Sequence, residues 1–206
     1  IRETLENVSK YIDYYCINDT GSTDNTKEII KEYFDSVGIP GEIITHEHRT
    51  CTCHGKEYKR YSFFHFGWAR THVLQQCQGK SEYMFMIDAD DLIIGDLKFP
   101  ELTEDCYLLT YGKGFTYRRA QIFKNDASLN WQYKDALHEY PCCNKKNHKQ
   151  IPIIGDYYVD SRRLGARNLD PMKYFNDSQV FEELLAEKLN DRHAFYCAQS
   201  YYDYHD

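Results

Sequence analysis

Tyr83-Met84-Phe85-Met86-Ile87-Asp88-Ala89-Asp90-Asp91 is the stretch on which the fold of this chain turns. Its first five residues are apolar without a break, which predicts a strand covered on both faces, as in a parallel sheet. Acidic residues follow at once. In extended backbone Asp88 and Asp90 project to the same side, and the small Ala89 between them lets a ligand come close. Open α/β sheets bind ligands at the carboxyl ends of central strands, where this pair is expected to stand. Neighbouring carboxylates repel unless a cation joins them, and Mn2+ or Mg2+, bridging to a diphosphate, suits such hard oxygens. The plainer alternative is an acidic loop that caps a helix; the apolar run ahead of the loop favours the ligand site.

Working outward, Tyr14-Tyr15-Cys16-Ile17 predicts a short strand that ends at the turn cluster Asp19-Thr20-Gly21-Ser22-Thr23-Asp24. Ile29, Ile30, Tyr33 and Phe34 then fall at helical spacing, and Gly38-Ile39-Pro40-Gly41 stops the helix. Glu42 to Thr45 reads as the next strand, completing a strand–helix–strand unit that favours parallel pairing. Ala69, Val73, Leu74 and Cys77 form one face of a further helix, closed by Gly79. Cys106 to Tyr111 and Phe115 to Phe123 predict two more strands, antiparallel to each other. After Pro171 the pattern turns helical through Tyr174, Val180, Phe181, Leu184 and Leu185, with a second helix from His193 to Tyr204. The expected architecture is therefore α/β, with a mostly parallel central sheet in residues 1–169 and a short α-helical hairpin in residues 170–206.

Composition narrows the class. Of 206 residues, 42% are hydrophobic and 16% aromatic, enough apolar surface to exclude a disordered chain. A formal charge of −7 argues against nucleic acid as partner. No apolar run approaches 18 residues and Ile1 opens no signal peptide, so neither a membrane span nor secretion is expected. The eight cysteines are scattered, which suits a reduced, cytoplasmic setting better than a disulfide framework. His46, His48, Cys51, Cys53 and His54 lack the paired spacing of structural zinc sites and read as a loop.

Ile17-Asn18-Asp19-Thr20-Gly21-Ser22-Thr23-Asp24-Asn25-Thr26, followed by Met86-Ile87-Asp88-Ala89-Asp90-Asp91, resembles the family 2 glycosyltransferases of the GT-A fold. Phe66-Gly67 with Ala69-Arg70, Tyr117-Arg118-Arg119, Leu137-His138-Glu139 and Arg163 to Lys173-Tyr174 are similar in the same order. Phe195 to Asp203 is similar to the tetratricopeptide-like helices that follow some of these domains. The resemblance implies transfer of a hexosyl or N-acetylhexosaminyl group, with inversion, from a UDP-sugar donor to a hydroxyl of a glycan, lipid or protein acceptor. It implies that Asp19, Thr20, Gly21, Asp24, Arg70, Asp88 and Ala89 bind the donor and that Asp88, Asp90 and His138 hold the metal. Glu139 is the expected base, with Asp91 next in line. In an extended segment His138 and Glu139 would point to opposite faces. The family's first strand would precede Ile1, so the chain reads as a piece of a longer protein, and Thr20 replaces an acidic residue that reads uracil in many relatives.

Arg162, Arg163 and Arg167 match phosphate geometry and are expected either on the donor diphosphate or in surface pairs with Asp156, Asp160 or Asp170. Trp131 and Tyr133 suit a sugar platform or the core equally. The helical end is a candidate surface for a homo-oligomer. Two rival functions remain. A sugar nucleotidyltransferase would carry a Gly-rich basic loop near the N-terminus, and none is visible; a non-catalytic nucleotide-binding or interaction module would not need the full acidic and basic set.

Overall fold

The computed structural model describes residues 1–45 and 63–205, so the His46–His54 cluster lies outside the described residues. The chain divides into two compact units, Ile1–Arg162 and Arg163–Asp206. The expected break after residue 169 falls within the second unit, after its first short helix.

In the first unit, α1 (Arg2–Val8) leads through a 3-10 turn to β1 (Tyr15–Asp19), α2 (Thr26–Val37) and β2 (Gly41–Thr45). β1 and β2 pair in parallel, from Tyr15 opposite Gly41 to Asp19 opposite Thr45. Parallel neighbours need a crossover, and α2 supplies it. Its apolar stripe puts Ile30, Tyr33 and Phe34 into a core with Leu5 and Tyr15, where the Tyr15 and Phe34 rings stack at 4.0 Å. Gly38, left-handed at φ 70°, ends the helix.

After α3 (Phe66–Gln76) come β3 (Tyr83–Phe85), β4 (Asp91–Gly95), β5 (Cys106–Tyr111), β6 (Tyr117–Lys124), β7 (Gln132–Lys134), β8 (Tyr140–Cys142), β9 (Gln150–Pro152) and β10 (Tyr157–Ser161). Six of these strands make one sheet in the order β3-β6-β5-β10-β4, with β9 also on β5; β7 and β8 form a separate hairpin. This sheet is mixed, not mostly parallel: β3–β6, β5–β6 and β4–β10 run antiparallel, while β5–β10 and β5–β9 run parallel. For β5 and β6 connection length decides it, because the turn between Tyr111 and Tyr117 is too short for a crossover.

β3 also stands at the end of the sheet rather than in its middle. Its apolar run is explained by alternation. Tyr83, Phe85 and Ile87 pack on the core of Val8, Ile93, Leu109, Tyr111, Ile122 and Val159. Met84 and Met86 pack on the core of Leu74, Cys106, Phe123, Trp131 and Tyr133. Both faces are covered without a second neighbouring strand.

The second unit contains α4 (Ala166–Leu169), α5 (Lys173–Glu187) and α6 (Asp191–His205). α5 and α6 bury Phe181, Ser178 and Cys197, with the Phe181 and Tyr196 rings stacked at 5.9 Å. Among the described residues no helix is long and apolar enough to cross a membrane.

The start of α3 is pH-sensitive by construction. His65 is the N-cap: its Nδ1 accepts the Trp68 N–H at 3.1 Å, and its ring stacks on Trp68 at 4.1 Å. Burial pushes its pKa down to about 4, so the folded state holds the ring neutral while the unfolded chain protonates near pH 6.5. Stability from this group is therefore complete above about pH 6.5 and lost as pH falls toward about 4, on the order of 3 kcal/mol in all. Thermal unfolding of His65→Asn, which keeps a cap acceptor without a titrating ring, should show a flatter acid limb than the parent. Parallel acid limbs would contradict this role.

Candidate functional site

The site is organised from α3. Gly67 sits against the carbonyls of Asp135 and Tyr133 so closely that a side chain there would collide with the Asp135 oxygen. One turn on, Thr71 Oγ1 donates to the Gly67 carbonyl at 2.7 Å and accepts the Tyr133 N–H at 2.8 Å. Phe66 N–H donates to the Ala136 carbonyl at 3.0 Å. These contacts dock α3 on β7 and bring Arg70 up to the β7–β8 loop.

That loop is not extended. Asp135 (φ 69°) and His138 (φ 52°) are both left-handed, and the tight return carries Glu139 back toward the helix. Arg70 Nε lies 2.7 Å from Glu139 Oε1, and Arg70 Nη2 lies 2.6 Å from Asp88 Oδ1. The guanidinium also stands over the Tyr133 ring, 5.7 Å from its centre. Burial works against the Arg70 charge, but Asp88 and then Glu139 more than offset it and raise its pKa above the ordinary value. Three residues nominated from separate motifs thus meet in one ion cluster.

The Asp88-Ala89-Asp90 backbone is held from outside. Thr4 Oγ1 donates to the Ala89 carbonyl at 2.9 Å, Arg162 Nε donates to the Asp90 carbonyl at 2.8 Å, and Asp91 N–H donates to the Asp88 carbonyl at 3.1 Å. Arg162 also pairs with Glu3. The Asp88 side chain stays 31% exposed. Asp91, in contrast, is fully buried. Its Oδ2 accepts the Tyr111 hydroxyl at 3.2 Å, and the Gln121 amide donates to that same hydroxyl. Burial, with the Asp88 charge added, pushes the Asp91 carboxyl up to about 6, against the pull of Ser161, Arg119 and Tyr111.

At the end of β1, Asp19 Oδ1 accepts the Ser22 N–H at 3.1 Å, and Lys27 Nζ lies 3.4 Å from Oδ2. Burial would raise this carboxyl, but Ser22 and Lys27 hold it below its ordinary value. Thr20, Gly21 and Asp24 are exposed. Asp24 Oδ1 accepts the Thr26 N–H at 3.1 Å, serving the start of α2. Asn18 Nδ2 donates to the Ala69 carbonyl at 3.1 Å, so the end of β1 is tied to the residue before Arg70. Among the described residues its buried Oδ1 finds no hydrogen-bond donor.

The other nominated residues are dispersed. His138 is exposed, and among the described residues no three His, Cys, Asp or Glu side chains gather to hold a metal ion. Arg163 and Arg167 belong to the second unit, where Arg167 pairs with Asp177, an aspartate outside the expected set. Trp131 and Tyr133 are core residues. Arg119 was absent from the nominated site, yet its guanidinium lies 4.9 Å over the Tyr111 ring. Burial opposes its charge, while Tyr111 and Asp88 sustain it. Its only signal was the Tyr117-Arg118-Arg119 motif.

The family model for glycosyl transferase family 2 matches residues 1–170, and the mixed α/β architecture fits a GT-A-like domain. Comparison with curated proteins and with solved structures gives no match.

If Arg70 holds two partly buried carboxylates, Arg70→Ala should cost about 3 kcal/mol in urea unfolding, because Asp88 and Glu139 lose their partner. Adding Glu139→Gln should cost less than the sum of the separate losses, with a coupling of about 1 kcal/mol or more. Additive losses would mean that the two residues do not act on one another.

Proposed function

Because the chain belongs to glycosyltransferase family 2, whose members use a nucleotide-sugar donor and an acceptor, we propose that it transfers a hexosyl or N-acetylhexosaminyl group from a UDP-sugar to an acceptor hydroxyl, with inversion. The observation that carries this reading is the Arg70 bridge, which joins the acidic loop expected on the donor side to Glu139, expected on the acceptor side.

Mn2+ or Mg2+ fits Asp88 and Asp90. Ions of this kind take one or two carboxylates and complete their shell with phosphate oxygens and water, so a two-carboxylate loop with a fixed backbone is a suitable donor set. His138 is a further candidate ligand. When bound, the ion would neutralise the leaving diphosphate.

The remaining chemistry falls to the chain. Asp19 and Ser22 shape the Thr20–Asp24 turn, proposed to receive the nucleoside. Arg70 orients Glu139 through Oε1, leaving Oε2 to take the proton of the acceptor hydroxyl. The acceptor oxygen attacks the anomeric carbon as the bond to the diphosphate breaks on the opposite face, which inverts the centre. Arg163 and Arg167 are proposed phosphate ligands in the second unit. Asp91, buried under Tyr111, is assigned to hold that ring in place of a role in proton transfer. The paired helices α5 and α6 are read as a tetratricopeptide-like segment for a partner or a second copy of the chain.

Glu139→Gln keeps shape but removes basicity, so turnover should fall by about 10²–10⁴ while UDP affinity with Mn2+ is spared. Asp90→Asn, or EDTA with the parent, should abolish metal-dependent transfer. Turnover of Glu139→Gln near the parental rate at saturating donor and acceptor would remove Glu139 as base. Calorimetry that shows no UDP binding by the parent would favour a non-catalytic module.

A further inference from the structure

The β5–β6 hairpin carries a row of three aromatic rings that runs out of the site to solvent. Tyr111 lies opposite Tyr117 in the strand register, and their rings stack at 5.6 Å with planes 29° apart. Phe115 continues the row, 6.3 Å from Tyr117 and 31° from its plane. Exposure rises along it, from 1% at Tyr111 to 43% at Tyr117 and 85% at Phe115. Leaving a phenylalanine in water forgoes the stabilisation its burial would supply.

The tip is also a formed turn. Gly112 is left-handed at φ 82°, and a side chain there would run into the Phe115 carbonyl, so the close backbone packing that positions Phe115 depends on this glycine. The inner end of the row belongs to the site. The Tyr111 hydroxyl is bonded to Asp91, Arg119 covers the Tyr111 ring, and the Arg119 charge is sustained by Asp88. Lys113, Thr116 and Arg118, neighbours of these rings along the chain, are all exposed and carry hydrogen-bond donors.

We propose that Phe115 and Tyr117 form the acceptor subsite and stack on a pyranose ring, making the acceptor a saccharide. This rests on the glycosyltransferase reading above. The ring surface of Phe115 and Tyr117 that Tyr111 leaves uncovered is electron-rich and suits the C–H face of a sugar, and the exposed polar neighbours suit its hydroxyls. Two rings are too small a patch for a stable protein interface, but they match one or two sugar units. The row's continuity with Asp91 and Arg119 places such a unit beside the reacting loop.

The test uses saturation-transfer NMR with a panel of α- and β-linked hexose and N-acetylhexosamine disaccharides, on the full chain and on Phe115→Ala and Tyr117→Ala. Thermal unfolding and UDP–Mn2+ binding are recorded alongside. At least one disaccharide should receive saturation from the parent, and each variant should bind it about fivefold more weakly, equivalent to about 1 kcal/mol. UDP binding should not change in either variant, and thermal stability should not change in Phe115→Ala. No saturation from any disaccharide, or equal binding by the variants, would overturn the proposal. So would vesicles of anionic phospholipid that bind the parent and not the variants while no sugar does. A parent that binds sugars through these rings but neither binds nor hydrolyses a nucleotide-sugar would leave the subsite standing and reject the transferase reading.

Discussion

A guanidinium drawn largely out of water must find anionic partners, and Arg70 finds two on separate loops later in the chain. Asp88 comes from the loop after β3, and Glu139 comes from the β7–β8 return, 69 residues from Arg70. Neither could be reached if α3 sat higher on β7. Gly67 permits that approach and Thr71 fixes it, so a glycine and a threonine set where the charge falls. Such a cluster adds little net stability over apolar packing, yet losing one member is costly. Its contribution is position.

The sheet serves the same end. One face of β5 and β6 is apolar for most of its length and turns polar at the end nearest the acidic loop, where Asp91, Tyr111, Gln121 and Arg119 meet. The register shift near Tyr107 makes this possible. Tyr107 faces Ile122 and Leu108 faces Ala120, so Gln121 is the extra residue of a bulge, re-aimed at the Tyr111 hydroxyl. The acidic loop is then held by Thr4 and Arg162 from the edges of the unit, which keeps Asp88 in reach of Arg70 without burying it.

Local features were legible in the sequence. The β1–α2–β2 unit follows from apolar spacing and two glycines, and its parallel pairing follows from the helix between the strands. The apolar run 83–87 signals cover on both faces, but such a run cannot report neighbours, so the central position expected of β3 gives way to a place at the end of the sheet. Sheet direction escaped for the same reason. Motifs nominated Arg70, Asp88 and Glu139 one by one, whereas their union depends on docking that no spacing reveals. Left-handed His138 departs from the extended backbone expected of it, and Asp91, the second candidate for the base, is buried at the start of β4. Arg119 was passed over because its face is set by register in the ladder.

Crystals grown with UDP and Mn2+ offer the most direct measurement, because anomalous scattering locates the ion independently of activity. The expected result is a single manganese peak within about 2.0–2.6 Å of the Asp88 or Asp90 carboxylate, bridging to the diphosphate, with Glu139 still on Arg70 and facing the donor. Bound UDP with no manganese at that loop, or with Glu139 turned away from Arg70, would contradict the site built here.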